Sequence, residues 1–152
     1  MGFDLGGLDP VNKDGEHFRN NVWWWRKLWE FTTIVCADVM TPEDVSAGHY
    51  NDCKEISAMT AKMMVERLET AVRQKEKYIG IIEAMEADYL NNERNLTETM
   101  IQELLEIKPD NKKIEELKKA KKKLTVSSHP FDWENVERFL KFIKSSGGFY
   151  IS

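Results

Sequence analysis

Residues 18–29 read FRNNVWWWRKLW, and four of the five tryptophans of the chain lie in this stretch. Consecutive side chains point about 100° apart on a helix and to opposite sides on a strand, so three adjacent rings cannot share one face. A helix in a small domain buries one apolar stripe against its core. We therefore expect at least one of these rings to contact something other than the main core.

Two interpretations of this stretch are open. In the first, the rings fill a core between the first helix, the last helix and a terminal sheet, and the asparagines cap a helix. In the second, rings, guanidinium groups and amides form a ligand pocket or a partner surface, because they suit a planar, polar or anionic group. The candidate ligand-binding residues are Arg19, Asn20, Asn21, Trp23, Trp24, Trp25, Arg26 and Trp29.

The bulk composition predicts one domain over residues 1–152, since 41% of the chain is apolar and 32% is charged. The net charge of −4 disfavours nucleic acid as a partner. The two cysteines do not have the spacing of a disulfide framework, and the sequence shows no secretory leader and no apolar run long enough to span a membrane. These features predict a cytoplasmic protein with no membrane partner.

The two ends of the chain read as strands. Phe3 and Leu5 alternate with polar residues and glycine over 2–8, and Phe149–Ile151 follows a pair of glycines. A lone short strand is unstable, so we expect the two terminal strands to pair in a small sheet.

Helices account for most of the remaining pattern. One is expected to start at Asn20 or Asn21 and to run to about Val35, and a short one to start at 41–44. A long helical pattern begins at about 51 or 52, as one helix or as two with a break near 91–95. Asp132 is expected to cap the last helix.

The predicted fold is therefore α+β and mainly helical. A compact module would comprise residues 1–50 and 125–152, and residues of about 51–124 would form a long helical hairpin or coiled-coil arm. Such an arm is also a possible surface for a homo-oligomer.

The chain carries none of the short motifs that accompany catalysis. Phosphate-binding glycine loops and paired metal-ligand spacings are absent from the sequence. Nothing in the sequence links Cys36 or Cys53 to a histidine as a nucleophile and its base. We therefore expect a protein that is not an enzyme and that needs no metal and no cofactor.

Both ends resemble a group of small bacteriophage and prophage proteins. In that group the chain begins Met-Gly-hydrophobic-Asp, continues with an FRNN-x-WWWR core and finishes with a helix followed by SGGF. Residues 1–5, 15–29 and 146–151 follow this pattern, with departures at His17 and Lys27, where the group often has Tyr and Pro. The resemblance implies a phage origin and a role against host defence, in the host cytoplasm.

The leading functional expectation is a non-enzymatic phage accessory protein that binds and sequesters a small nucleotide-like ligand. The Trp rings would stack on a base, Arg19 and Arg26 would pair with phosphate, and Asn20 and Asn21 would read polar edges. The alternative is a helical protein–protein interaction module that binds and inhibits a host or phage protein, such as a host defence protein.

Overall fold

The computed structural model describes residues 2–91 and 130–152. It confirms the α+β, mainly helical class with a small antiparallel sheet. The strands are β1 (Gly2–Gly7), β2 (His17–Asn21), β3 (Lys54–Ile56) and β4 (Phe149–Ile151). The helices are α1 (Val22–Val35), α2 (Pro42–Tyr50), α3 (Ala58–Arg73), α4 (79–91) and α5 (Trp133–Ser146), with 3-10 turns at Lys13–Gly15 and Lys75–Tyr78.

The sheet has the strand order β2-β1-β4-β3, and every neighbouring pair is antiparallel. The predicted pairing of the terminal strands is confirmed, with Leu5 opposite Ile151 and Gly7 opposite Phe149. The sequence interpretation missed the two edge strands. In β2 an asparagine, Asn20, takes an inward position beside Phe18, and β3 has one apolar residue in three, so neither strand shows an apolar alternation.

The core lies on one face of this sheet, and α1 and α5 pack against β1. Full burial of one Phe or Leu side chain contributes about 1.5–3 kcal/mol, so this face is the main source of stability in the sheet. Its buried side chains are Phe3, Leu5, Phe18, Ile56, Phe149 and Ile151. The edge of the Phe18 ring meets Phe139 of α5, with 5.3 Å between the ring centroids.

Local capping explains where the helices begin and end. Asn21 accepts a hydrogen bond from the backbone N–H of Trp24 at 3.0 Å and caps α1, as predicted. Thr41 and Asp44 form a reciprocal capping box at the start of α2. The end of α5 turns at Gly147, whose φ of 67° lies in the left-handed region that favours glycine.

The prediction of a long helix from residue 51 or 52 is wrong at its start. Residues 54–56 pair with β4, and Ser57 caps α3 by accepting a hydrogen bond from the backbone N–H of Thr60. A single unbroken helix is also wrong, because α3 ends at Arg73 and a 3-10 turn over Lys75–Tyr78 precedes α4. The possible break at 91–95 lies almost entirely outside the described residues.

The described residues form two compact units. The first comprises 2–79 and 131–152, and residues 80–91 with Pro130 belong to the second. The first unit therefore extends past the predicted boundary of the module at residue 50, because β3 completes the sheet and α3 packs against α5. Residues 92–124 of the predicted hairpin or coiled-coil arm lie outside the described residues. The arm, and an oligomer built through it, therefore stay predictions.

Candidate functional site

Two of the predicted ligand-binding rings lie in the core. Trp25 and Trp29 are both fully buried and stack on each other with 5.1 Å between ring centroids, and Phe3 stacks on Trp25 at 5.2 Å. Their indole N–H groups donate to the carbonyls of Gly48 at 2.8 Å and Val45 at 3.0 Å. Neither ring has surface or a donor facing solvent, so Trp25 and Trp29 match the core interpretation of the stretch and not the ligand pocket.

The other two rings lie at the surface of the same helix. Trp23 is 45% exposed, and the guanidinium carbon of Arg26 lies 5.6 Å from the centroid of its ring. Trp24 is partly exposed and lines a cleft with Asn20. The stretch thus divides into an inner pair of rings in the core, Trp25 and Trp29, and an outer pair at the surface, Trp23 and Trp24.

A buried pair of amides lies beside Trp24. The side-chain nitrogen of Asn20 donates to the oxygen of Asn135 at 3.1 Å, and the nitrogen of Asn135 donates back to the oxygen of Asn20 at 2.8 Å. Each residue is 6% exposed. The pair joins β2 to α5 across 115 positions of sequence, and it satisfies polar groups that would be costly to bury alone.

A cleft of about 250 Å³ opens above this pair, and we call it the amide cleft. Its lining residues are Asn20, Trp24, Asp132, Glu134, Asn135 and Arg138. The Asp132 carboxylate also caps α5 by accepting a hydrogen bond from the backbone N–H of Glu134 at 3.0 Å. The cleft therefore offers an aromatic ring, amides, two carboxylates and one guanidinium to a ligand.

Arg138 is held at the rim of this cleft by two contacts. Its guanidinium carbon lies 5.2 Å from the centroid of the Phe18 ring, and its Nη1 lies 3.4 Å from the side-chain oxygen of Asn135. A guanidinium has five N–H donors in a rigid fork, so a group held in this way retains the capacity to donate to a ligand.

A second cleft, of about 410 Å³, lies on the other side of Arg138, and we call it the basic cleft. Its lining residues are Lys13, Asp14, His17, Phe18, Arg19, Arg138, Lys141 and Phe142. Among the predicted site residues only Arg19 lies there. Its Nε is 3.8 Å from the Asp4 carboxylate, which also lies 3.2 Å from the His17 ring.

The eight predicted residues thus have different locations. Asn20 and Trp24 meet in the amide cleft, and Arg19 lies in the basic cleft. Asn21 acts as a helix cap, and Trp23 and Arg26 contact each other at the surface. The sequence interpretation missed the other lining residues of the two clefts, among them Asn135, Arg138 and Lys141.

The buried cysteine, Cys36, is poorly suited to act as a nucleophile. Burial and, to a smaller extent, the nearby Asp38 carboxylate raise the pKa of the Cys36 thiol to about 12. At neutral pH this thiol is protonated and is a poor nucleophile. Among residues 2–91 and 130–152, no three His, Cys, Asp or Glu side chains are grouped closely enough to hold a metal ion.

Comparison with known proteins adds no further constraint. The chain matches no protein-family model, no curated protein and no solved structure. Within the part of the chain that the structure describes, no helix combines the length and apolar character needed to cross a membrane.

Proposed function

We propose that this protein binds and sequesters a small nucleotide-like molecule without transforming it, with the planar ring of the ligand in the amide cleft. The observation that supports this most is the reciprocal Asn20–Asn135 pair, which is buried beside the partly exposed ring of Trp24. Sequestration needs affinity and no reactive group, which agrees with the absence of a catalytic motif from the sequence.

The chemistry of the amide cleft suits a heterocyclic base. Trp24 offers a π face on which any base can stack, an interaction worth about 1–3 kcal/mol per base. Both N–H groups of the Asn20 side chain are engaged, one by Asn135 and one by the Arg19 carbonyl, so the amide pair offers a ligand the second N–H of Asn135 and one lone pair of the Asn20 oxygen. The Asp132 and Glu134 carboxylates accept from amino groups. This donor and acceptor set matches the polar edge of a base that carries an amino group.

The size of the cleft agrees with this assignment. Pockets for drug-sized ligands enclose about 300–1,000 Å³, and the amide cleft, at about 250 Å³, is smaller. It therefore suits one ring system rather than a whole cofactor. The resemblance of both chain ends to phage proteins is what supports an anti-defence use, in which the sequestered molecule is a signal of the host.

Thermal denaturation of the full chain tests this function. The protein is melted with adenosine, guanosine, cytidine and uridine and with their 5′-monophosphates, and at least one base is expected to raise the melting temperature. Trp24→Ala should abolish the increase, because it removes the stacking face. Trp23→Ala is the matched control, since it deletes the neighbouring ring outside the cleft, and it should keep the increase.

Two results would count against the proposal. One is an unchanged melting temperature with all eight compounds. The other is an increase that Trp24→Ala retains in full, which would place the bound base elsewhere.

A second function is favoured by the exposed Trp23 and its contact with Arg26. Tryptophan and arginine are enriched among the residues that dominate protein–protein binding energy. An interaction module that binds a host or phage protein predicts a partner that copurifies in stoichiometric amount. Trp23→Ala should then abolish copurification and Trp24→Ala should retain it, which is the reverse of the pattern expected for ligand binding.

A further inference from the structure

The two clefts differ in charge although they share Arg138. In the basic cleft four side chains carry a positive charge, Lys13, Arg19, Arg138 and Lys141, and one, Asp14, carries a negative charge. In the amide cleft two carboxylates face one guanidinium. The basic cleft is therefore a local concentration of positive charge on a chain whose net charge is −4.

Three elements bring these cations together. Arg19 comes from the edge strand β2, Arg138 and Lys141 lie three residues apart on one face of α5, and Lys13 begins a 3-10 turn. That turn is pressed against α5, because a Cβ at Gly15 would overlap the Ser145 carbonyl oxygen. The convergence is thus a property of the fold and not of one flexible segment.

The carboxylates near these cations hold them loosely. The Lys141 Nζ lies 3.7 Å from the Asp14 carboxylate, and the Arg19 Nε lies 3.8 Å from the Asp4 carboxylate. Strong charge-assisted hydrogen bonds measure about 2.7–2.9 Å. Because Lys141 and Arg19 are also 70% and 65% exposed, such pairs contribute little stability and leave both cations available to an anion.

We infer that the basic cleft is a phosphate subsite for the same ligand, so that the ligand class is a nucleotide and not a nucleoside or a free base. This inference rests on the proposed function, because it takes the base to lie in the amide cleft. Arg138, at the boundary, contacts both parts of the ligand. Asp132 and Glu134 repel a phosphate from the amide cleft, which fixes the orientation of the nucleotide.

Calorimetric titration of the full chain with base-matched series tests the subsite. Each series comprises a nucleoside, its 5′-monophosphate and its 5′-diphosphate for the four common bases, and inorganic pyrophosphate is titrated alone. The monophosphate of the preferred base should bind at least about tenfold more tightly than its nucleoside, the effect of one good charge-assisted contact. The difference should shrink at high salt.

Lys141→Ala is the diagnostic variant, because this side chain is exposed and its removal spares the core. It should weaken monophosphate binding about tenfold and leave nucleoside binding within about twofold. Lys77→Ala removes an exposed lysine outside both clefts and is the matched control. It should leave both affinities unchanged.

Failure of the subsite and failure of the base site give different results. Equal affinity for a nucleoside and its monophosphate overturns the phosphate subsite and leaves the proposed function intact. A second outcome is that Lys141→Ala weakens pyrophosphate binding while no nucleoside binds and Trp24→Ala leaves nucleotide binding unchanged. This outcome supports the phosphate subsite and overturns the base site. A single-stranded dodecanucleotide that binds more tightly than every mononucleotide overturns both in favour of nucleic acid.

Discussion

The inner and outer tryptophans of α1 share one sequence motif and have opposite environments. Trp25 and Trp29 are fully buried, and their indole N–H groups bind carbonyls of α2. Trp23 is half exposed against Arg26, and Trp24 faces the amide cleft. Successive side chains point about 100° apart on the helix, so the position of each ring determines whether it lies in the core or at the surface.

The inner pair depends on a close approach of two helices. A Cβ at Gly48 would overlap the ring of Trp29, so a glycine at this position lets α2 lie against the inner rings. In the outer pair, by contrast, Trp23 contacts the solvent-exposed Arg26. Substitutions should therefore separate the two pairs by their effect on stability.

The largest effect is expected for the inner pair. Trp25→Ala deletes a fully buried ring and leaves the Gly48 carbonyl without its donor, so it should lower the free energy of unfolding by about 3–5 kcal/mol. Trp23→Ala, the control on the same helix, should change it by less than about 0.5 kcal/mol. Urea unfolding followed by circular dichroism measures both. Equal losses for the two variants would contradict the division into inner and outer rings.

An intermediate effect is expected for the amides that lie between the core and the outer rings. Asn20→Leu or Asn135→Leu leaves a buried amide without its partner and should each cost about 1–3 kcal/mol. The double variant should cost less than the sum, because replacing both partners by apolar groups removes the unsatisfied amide. Additive losses in the double-mutant cycle would show that the two amides act independently.

The smallest effect is expected at Asp44, in the first turn of α2, the helix whose carbonyls accept hydrogen bonds from the inner rings. Burial tends to raise the pKa of the Asp44 carboxyl, but hydrogen bonds from Lys54, at 2.6 Å, and from Thr41 outweigh it and hold the pKa below its usual value. A lowered pKa in the folded state stabilises the protein above the usual aspartate value of about 3.9. This contribution is lost as the pH falls through the folded-state pKa.

Asp44→Asn should therefore lower the free energy of unfolding by about 1–2 kcal/mol at neutral pH. The difference from wild type should begin to shrink below about pH 4, where the Asp44 carboxyl of the unfolded chain becomes protonated, and should shrink further as the pH falls through the lowered folded-state pKa. Glu43→Gln, at an exposed position in the same helical turn, should leave the pH dependence unchanged. A constant difference between Asp44→Asn and wild type across this pH range would refute the assignment.

Local signals in the sequence predicted most of the fold. The caps at Asn21, Thr41 and Asp132, and the glycine after α5, are short-range patterns that depend on neighbouring residues. The pairing of the terminal strands followed from the instability of a lone strand. The early end of α3 also had a local signal, because Lys75 interrupts the apolar stripe of the helical pattern.

The edge strands and the site required contacts that the sequence does not show. The sequence pattern does not reveal β2, because a polar residue, Asn20, takes an inward position. Its hydrogen bonds to Asn135, on a helix that is distant in sequence, explain this position only in the folded structure. Asn135 did carry a signal, because it lies on the apolar stripe that includes Phe139 and Phe142. Lys141, by contrast, reads as one of many surface lysines until the fold places it near Arg19.

Fluorine NMR of the full chain labelled with fluorotryptophan tests most directly the claim that Trp24 contacts a ligand while the inner rings form the core. The five tryptophan signals are assigned by single Trp→Phe variants, and AMP, GMP, CMP and UMP are titrated in turn. At least one nucleotide should shift the Trp24 signal most and leave the Trp25 and Trp29 signals nearly unchanged. A largest shift at Trp25, Trp29 or Trp23, or no shift with any of the four, would contradict the claim.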